Sequence, residues 1–348
     1  MLTGDKPALF PPVRQLGPAD QTRCAALSVD RGWSPEQSKW GLLLAASEVF
    51  GVDAPDGRGL AGSVTLTRWG PDFASVGMML VAARYGRQGL GRTLMEHLLR
   101  AAGPGATVTL FATSMGRPLY EKLGFRVVRG NVSFTGRFRS DNSKKRGARR
   151  APAAGLPGSI RLATEADLPP ILALDRAAFG ADRSGIITRL PAFADHIVVL
   201  ETGQAADFSA AADRGTAADS SAAGRGSATQ AGLAGADGRA SRLAAGHDSP
   251  GRGIAGYAAA WRNGPASTVI GPLVAPDGEA ARRLIAELAA HTGTPVRLDL
   301  DPDRPELPGW AAAHGLDPVG RTVVMARGDN PLRGTPGHLF TPISVALA

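Results

Sequence analysis

The 348-residue chain contains one cysteine, Cys24, which excludes an internal disulfide framework and a thiolate zinc site. Its six histidines are scattered and form no H-x-x-x-H pair, so no metal is expected. No stretch approaches the roughly 18 apolar residues that span a bilayer. The opening Met1-Leu-Thr-Gly-Asp-Lys-Pro7 lacks the basic start and apolar core of a secretory leader. A soluble cytoplasmic protein is the expectation. One familiar phosphate motif is also missing: there is no Walker Lys-Ser or Lys-Thr pair.

An excess of acidic residues is absent too, and the net charge is +8. The excess is local. Seven basic residues between Arg137 and Arg150 face a single Asp141, leaving about +2 for the rest of the chain. The stretch is rich in small residues and carries few aromatics. It reads as a solvated, self-repelling linker, with a sequence-independent polyanion contact as the alternative; nucleic acid is not an expected partner.

What the sequence does contain is one informative run, Met78 to Arg100. An apolar strand leads into the turn Gly86-Arg-Gln-Gly-Leu-Gly-Arg92, and an amphipathic helix follows. Leu90, Leu94, Leu98 and Ala101 share one face of that helix, and Arg92, Glu96 and Arg100 share the other. Unpaired N–H groups and the positive end of the helix dipole make such a turn an anion site. Its glycines allow close approach of a phosphate, while Arg87 and Arg92 add fixed charge. The glycine order G-x-x-G-x-G is the reverse of the dinucleotide pattern, and Gly89-Leu90-Gly91 cannot start that pattern, because Leu94 stands where its third glycine would be. About twenty residues on, Thr107 to Ala112 alternates like a half-buried strand, and Arg117-Pro-Leu-Tyr-Glu-Lys-Leu-Gly-Phe125 reads as a short helix stopped by Gly124.

Strand, basic R-x-G-x-G turn, helix, strand and L-Y-x-x-L-G-F, in this order, resemble the GNAT superfamily of acyl-CoA-dependent N-acyltransferases. The resemblance implies an α/β (α+β) fold with a mixed central sheet flanked by helices. It also implies acetyl-CoA as co-substrate. In the superfamily the main chain of the strand before the turn holds the pantetheine arm, here Met79, Leu80 and Val81, whose side chains read as core. The turn holds the diphosphate, which carries over to Arg87, Gln88, Gly89, Leu90, Gly91, Arg92 and Thr93. Tyr120 matches the tyrosine that protonates the departing thiolate. Gly86 departs from the usual Gln or Arg, and Thr113 replaces a frequent Asn.

Some relatives place a glutamate base on the strand before this tyrosine, but Val108 holds the nearest position here. Asp30 and Glu48 are the candidate bases on the acceptor side. Trp33 either lines the acceptor pocket or packs a helix. Without a base, an amine of pKa near ~8 reacts far more readily at neutral pH than a lysine amine near ~10.4. A small-molecule amine is therefore the favoured acceptor, attacking the thioester directly. A non-catalytic acyl-CoA sensor remains the alternative, and a homodimer stays open.

The first domain is expected over residues 1–140, with the basic linker at 141–158. The second, at 159–348, repeats the order of elements, beginning with the strand at Ile160 and a helix capped by Thr164 and Asp167. Within it, residues 203–252 are about two-thirds Ala, Gly, Ser or Thr with no apolar period, which predicts a disordered insertion. The second copy has Ala275-Pro-Asp-Gly-Glu279 where the cradle should be, so it reads as a degenerate GNAT-like domain that does not bind the coenzyme. The whole resembles a bacterial two-domain acetyltransferase group.

Overall fold

A computed structural model describes residues 9–140, 158–202, 253–328, 334 and 337–347. Of the basic linker expected at 141–158, residues 141–157 lie outside the described residues, as does the predicted insertion at 203–252, whereas Gly158 already belongs to a strand. No helix among the described residues is long and apolar enough to cross a membrane.

The first half runs β1 (Arg14–Leu16), α1 (Gln21–Asp30), α2 (Gln37–Ala46), β2 (Glu48–Asp53), β3 (Leu60–Arg68), β4 (Phe73–Val81), α3 (Leu90–Ala102), β5 (Thr107–Ala112), α4 (Arg117–Lys122) and β6 (Arg126–Gly136). The second runs β7 (Gly158–Leu162), α5 (Leu168–Phe179), α6 (Ser184–Ile187), α7 (Leu190–Phe193), β8 (His196–Thr202), β9 (Gly253–Asn263), β10 (Ser267–Val274), α8 (Gly278–Ala290), β11 (Val296–Leu300), α9 (Pro308–Ala313), β12 (Asp317–Arg327) and β13 (Leu339–Thr341). The strands expected from Phe125 and Asn131 are one continuous strand, β6. The short helices α6 and α7 and the strand β13 carry too few periodic residues to have been read.

The repeat extends to individual side chains. Arg14 bridges Asp20 and Asp53 at 2.7 and 2.8 Å. In the second half Arg161 bridges Asp167 and Glu201 at 2.6 and 2.7 Å. Asp20 and Asp167 also accept the N–H groups of Gly17 and Thr164, closing the turn that starts each first helix. Hydrogen bonds from Arg14 hold the Asp20 carboxyl down at about 2. Its folded value lies below the unfolded one near ~3.9, so its contribution to stability is complete above about pH 4 and is lost as pH falls towards 2. Melting curves across this range should show Asp20→Asn losing less on acidification than the parent; equal loss would assign the acid sensitivity elsewhere.

All the described strands join one sheet, in the order β1-β2-β3-β4-β5-β12-β6-β11-β10-β9-β8-β7, with β13 against β10. The halves exchange their last long strands. β12, from the second half, pairs antiparallel with β5, and β6, from the first, pairs antiparallel with β11. β6 and β12 pair with each other at the centre. Helices α3 and α4 cover one face of the first half, and α8 and α9 the same face of the second. The other face carries α1, α2 and α5–α7, which pack together around Trp40, Tyr257 and Trp261.

That second face is concave. A Cβ on Gly77 in β4 would lie 1.9 Å from the Ala346 carbonyl oxygen, and one on Gly271 in β10 would lie 2.1 Å from that of Pro342. Four residues of chain reach at most ~14 Å. Five interstrand steps from β4 to β10 would span ~24 Å if the sheet were flat. The sheet must therefore curl, and the C-terminal segment threads the hollow with Ile343, Ala346 and Leu347 buried.

Candidate active site

The first half opens its sheet at one end. β4 and β5 pair in parallel from Phe73–Thr107 to Val76–Leu110 and then part, although β4 continues to Val81 and β5 to Ala112. A bulge marks the parting: Thr65 opposes Gly77 and Ser63 opposes Leu80, with Met78 at φ 44° between them. The Ser63 hydroxyl donates to the Met78 carbonyl at 3.1 Å and steadies the bend. Beyond it the β5-facing edge of Gly77 to Val81 has no strand partner among the described residues. Met79 and Val81 pack towards α3, while Met78 and Leu80 belong to the concave-face core.

The turn after β4 sits beside this gap. Arg87 and Gly89 both take positive φ, 61° and 83°, and α3 begins at Leu90. Among the described residues, the six backbone N–H groups from Arg87 to Arg92 donate to nothing, and the first to find an acceptor is Thr93, bonded to Gly89 O at 3.1 Å. Six unsatisfied donors around a helix N-terminus form an anion cradle. Gln88 turns its amide onto the Arg84 carbonyl, and Arg92 pairs with Glu96 at 2.7 Å. Arg87 is exposed and carries no ion pair among the described residues. Gly91 lets α3 close on the gap: a Cβ there would lie 3.1 Å from Met79 Cε and 3.4 Å from Leu119 Cδ2.

Tyr120 lies on α4, 7% exposed, edge-on to Phe125. Burial pushes its phenol up to about 12. Its hydroxyl makes no hydrogen bond among the described residues. Thr113 caps α4 by accepting the Gly116 N–H at 3.2 Å. The structure thus places Met79–Val81 and Arg87–Thr93 beside one opening, with Leu119 of α4 against Gly91 and Tyr120 in the core behind it.

The acceptor-side candidates lie elsewhere. Asp30 accepts the Ala83 N–H at 2.6 Å, which ties the end of α1 to the approach to the cradle. Trp33 follows α1 with 43% of its surface exposed. Glu48 pairs with Arg68, whose guanidinium also binds the Ala101 and Ala102 carbonyls at the C-terminal end of α3. A 13-residue helix is about 20 Å long, so Glu48 stands at the far end from the cradle. Val108 is buried beneath α3 and α4. Cys24 is wholly buried, and burial raises its thiol to about 12, so it supplies no nucleophile.

What the sequence reading missed is a polar row across the concave face: Ser63, Thr65, Ser75, Thr109, Asn131, Ser133 and Asp299, all buried. Strict alternation in Ser63-Val-Thr-Leu-Thr67 and Arg297-Leu-Asp-Leu-Asp301 was the available signal. It could not say that both alternations face one hollow.

In the second half the corresponding opening is filled. β10 and β11 pair only at Thr268–Val296 and Val269–Arg297, and β13 then pairs with β10 at Leu273–Thr341 and Val274–Leu339. At the start of α8 the Asp277 carboxylate accepts the Ala280 N–H at 2.8 Å. Among the described residues the start of α8 is thus capped by its own side chain, and β13 occupies the gap beside it.

Comparison with known proteins agrees with this geometry. Models of the acetyltransferase (GNAT) domain match residues 46–127 and 245–341, together just over half of the chain. An uncharacterized N-acetyltransferase, YitH, of Bacillus subtilis (strain 168) is 23% identical over 276 residues, covering 79% of this chain and 77% of that protein. A putative acetyltransferase from Pyrococcus horikoshii superposes with a TM-score of 0.67 at 15% identity, covering 100% of each chain. A tandem GNAT protein from the clavulanic acid biosynthesis pathway superposes at 0.53 and 15% identity, covering 92% of this chain and 99% of its own. With two domain matches, one in each half of the chain, and tandem structural counterparts, this protein belongs to the GNAT acetyltransferase family and carries two such domains in tandem.

Proposed function

We propose that the first half transfers an acetyl group from acetyl-CoA to the primary amine of a small molecule by direct attack on the thioester. The observation that carries this reading is the cradle of six unpartnered N–H groups beside the parted strands β4 and β5. The cradle suits a diphosphate, and the free edge of Met79 to Val81 suits the amide-bearing arm attached to it. Acetyl-CoA supplies the activated acyl group; the chain's own residues hold it and manage charge on the leaving sulfur.

Tyr120 is the residue for that second task. With its phenol near 12 in the free protein, complete transfer of the proton to a thiolate of pKa near ~8.5 is uphill by roughly 5 kcal/mol. Tyr120 therefore works chiefly as a hydrogen-bond donor to the departing sulfur, releasing its proton late if at all. Because the phenol stays protonated up to about pH 12, turnover should show no loss from Tyr120 ionisation below pH 10.

The concave face is closed over by helices and by the C-terminal segment, which leave a narrow cleft lined by Phe111, Arg129, Asn131, Asp299 and Thr341. The competing reading is an acyl-CoA sensor, favoured by Val108 in the core and by the engagement of Asp30 with Ala83.

The test is thiol release from acetyl-CoA across a panel of amines, with the parent protein and Tyr120→Phe. Amine-dependent release that falls at least tenfold in the variant, with coenzyme affinity unchanged, supports transfer. Coenzyme binding without release for any amine supports the sensor. Equal turnover in both proteins removes Tyr120 from the mechanism.

A further inference from the structure

The cleft on the concave face joins parts of the chain that are far apart in sequence. Phe111 of β5 forms one wall, Arg129 and Asn131 of β6 the floor, Asp299 of β11 and Asp301 just beyond it a second wall, and Thr341 of β13 the roof. It adjoins the opening between β4 and β5, since Phe111 sits on the β5 arm where the strands part. Val324 of β12 pairs with both Phe111 and Arg129, which places Arg129 two strands, about 10 Å, from that arm.

The polar groups of this cleft are left unsatisfied in a particular way. Arg129 is half-buried, yet its guanidinium makes no hydrogen bond or ion pair with any described residue. Burial lowers its pKa, and Asp301 only partly counters this from beyond ion-pair distance. Asp301 accepts the Asp303 N–H at 3.0 Å and pairs with no cation among the described residues. The Thr341 hydroxyl is fully buried without a partner among the described residues. Asp299, by contrast, is already engaged by Arg297 and by the Ser133 hydroxyl. A half-buried cation and a partly exposed carboxylate face one hollow without meeting, and a buried hydroxyl sits beside them, so a ligand there would find a donor and an acceptor not yet engaged with each other.

A simple carboxylate would satisfy Arg129 and be repelled by Asp301. A simple diamine would do the reverse. A zwitterionic head satisfies both. We propose that this cleft is the acceptor-recognition subsite and that it takes the α-amino-acid head of an α,ω-diamino acid, whose distal amine reaches past Phe111 to the opening between β4 and β5. Arg129 binds the carboxylate, Asp301 the α-ammonium, and Thr341 donates to a carboxylate oxygen. The C-terminal segment and the second domain thereby furnish the recognition elements for a reaction performed by the first. This proposal rests on the acetyl-transfer reading above.

Calorimetric binding separates the two claims, because it needs no turnover. L-Ornithine and L-lysine should bind at least tenfold more tightly than putrescine and cadaverine, which lack only the carboxylate. Arg129→Gln should abolish that preference, and Asp301→Asn should weaken both ligand classes. Melting temperature and acetyl-CoA affinity, followed alongside, report whether each variant remains folded. Equal affinity for the two classes, or a preference that survives in a folded Arg129→Gln protein, overturns the proposal. Arg129-dependent binding without thiol release would uphold the subsite and sink the enzyme reading. Thiol release from amines with no carboxylate preference would do the opposite.

Discussion

Replacing Gly89 with glutamate is expected to lower acetyl-CoA affinity at least 100-fold. Gly89 has φ 83° and open space around the position of a Cβ, so no clash competes with the electrostatic effect. Any L-residue there bears a left-handed conformational cost of roughly 1–2 kcal/mol. Glutamate adds a carboxylate to a loop whose six N–H groups are free among the described residues and, on the proposed reading, would face the coenzyme diphosphate. At ~5 Å and an effective dielectric near ~20, each pair of like charges costs about 3 kcal/mol. One such pair already exceeds 100-fold. Gly89→Ala bears only the backbone cost and serves as the control, with a loss on the order of tenfold. Should calorimetry show the glutamate and alanine variants binding alike, the diphosphate does not sit in this turn.

Asp175→Ala should produce the largest loss of stability. Asp175 on α5 and Arg183 are both nearly inaccessible, and the guanidinium donates twice to the carboxylate, at 2.9 and 2.5 Å. The Tyr257 hydroxyl donates to the same carboxylate from β9. Arg183 also lies over the Phe179 ring at 4.2 Å. Removing the carboxylate strands a buried cation and a buried phenol, a change worth about 3–5 kcal/mol. At about 2 °C per kcal/mol for a chain of this size, the melting temperature should fall by on the order of 6–10 °C. The loss should reach the first domain as well. Phe179 packs on Trp69 and Phe73, and the Asp182 N–H donates to the Trp69 carbonyl. A fall below ~1 °C would mean that water reaches Arg183 and replaces the aspartate.

The cradle was legible because it is local. Gly86 to Arg92 lies within seven residues, and turn, glycines and helix start are all set by near neighbours. Tyr120 was legible for the same reason, four residues before the stop at Gly124. The alternations Ser63–Thr67 and Arg297–Asp301 were visible too, but each reads as an ordinary half-buried strand until its neighbours are known. The exchange of β6 and β12 left no local signal. Either strand satisfies its backbone equally well beside its own half or beside the other, so propensity does not choose between them.

The amino-acid sequence by itself determined the family resemblance, the order of elements in each half, and the loop that suits a diphosphate. It also determined that the second copy lacks such a loop, since Asp277 and Glu279 replace the basic turn. Only the tertiary structure decided that the halves share one curled sheet, and that β13 and the following residues fill the second gap and line the hollow. It alone brought Phe111, Arg129, Asp301 and Thr341 to one cleft. The physical reason is range. Turns and caps are fixed by hydrogen bonds over a few residues, whereas strand exchange and cleft composition follow from burying apolar surface between segments up to 230 residues apart.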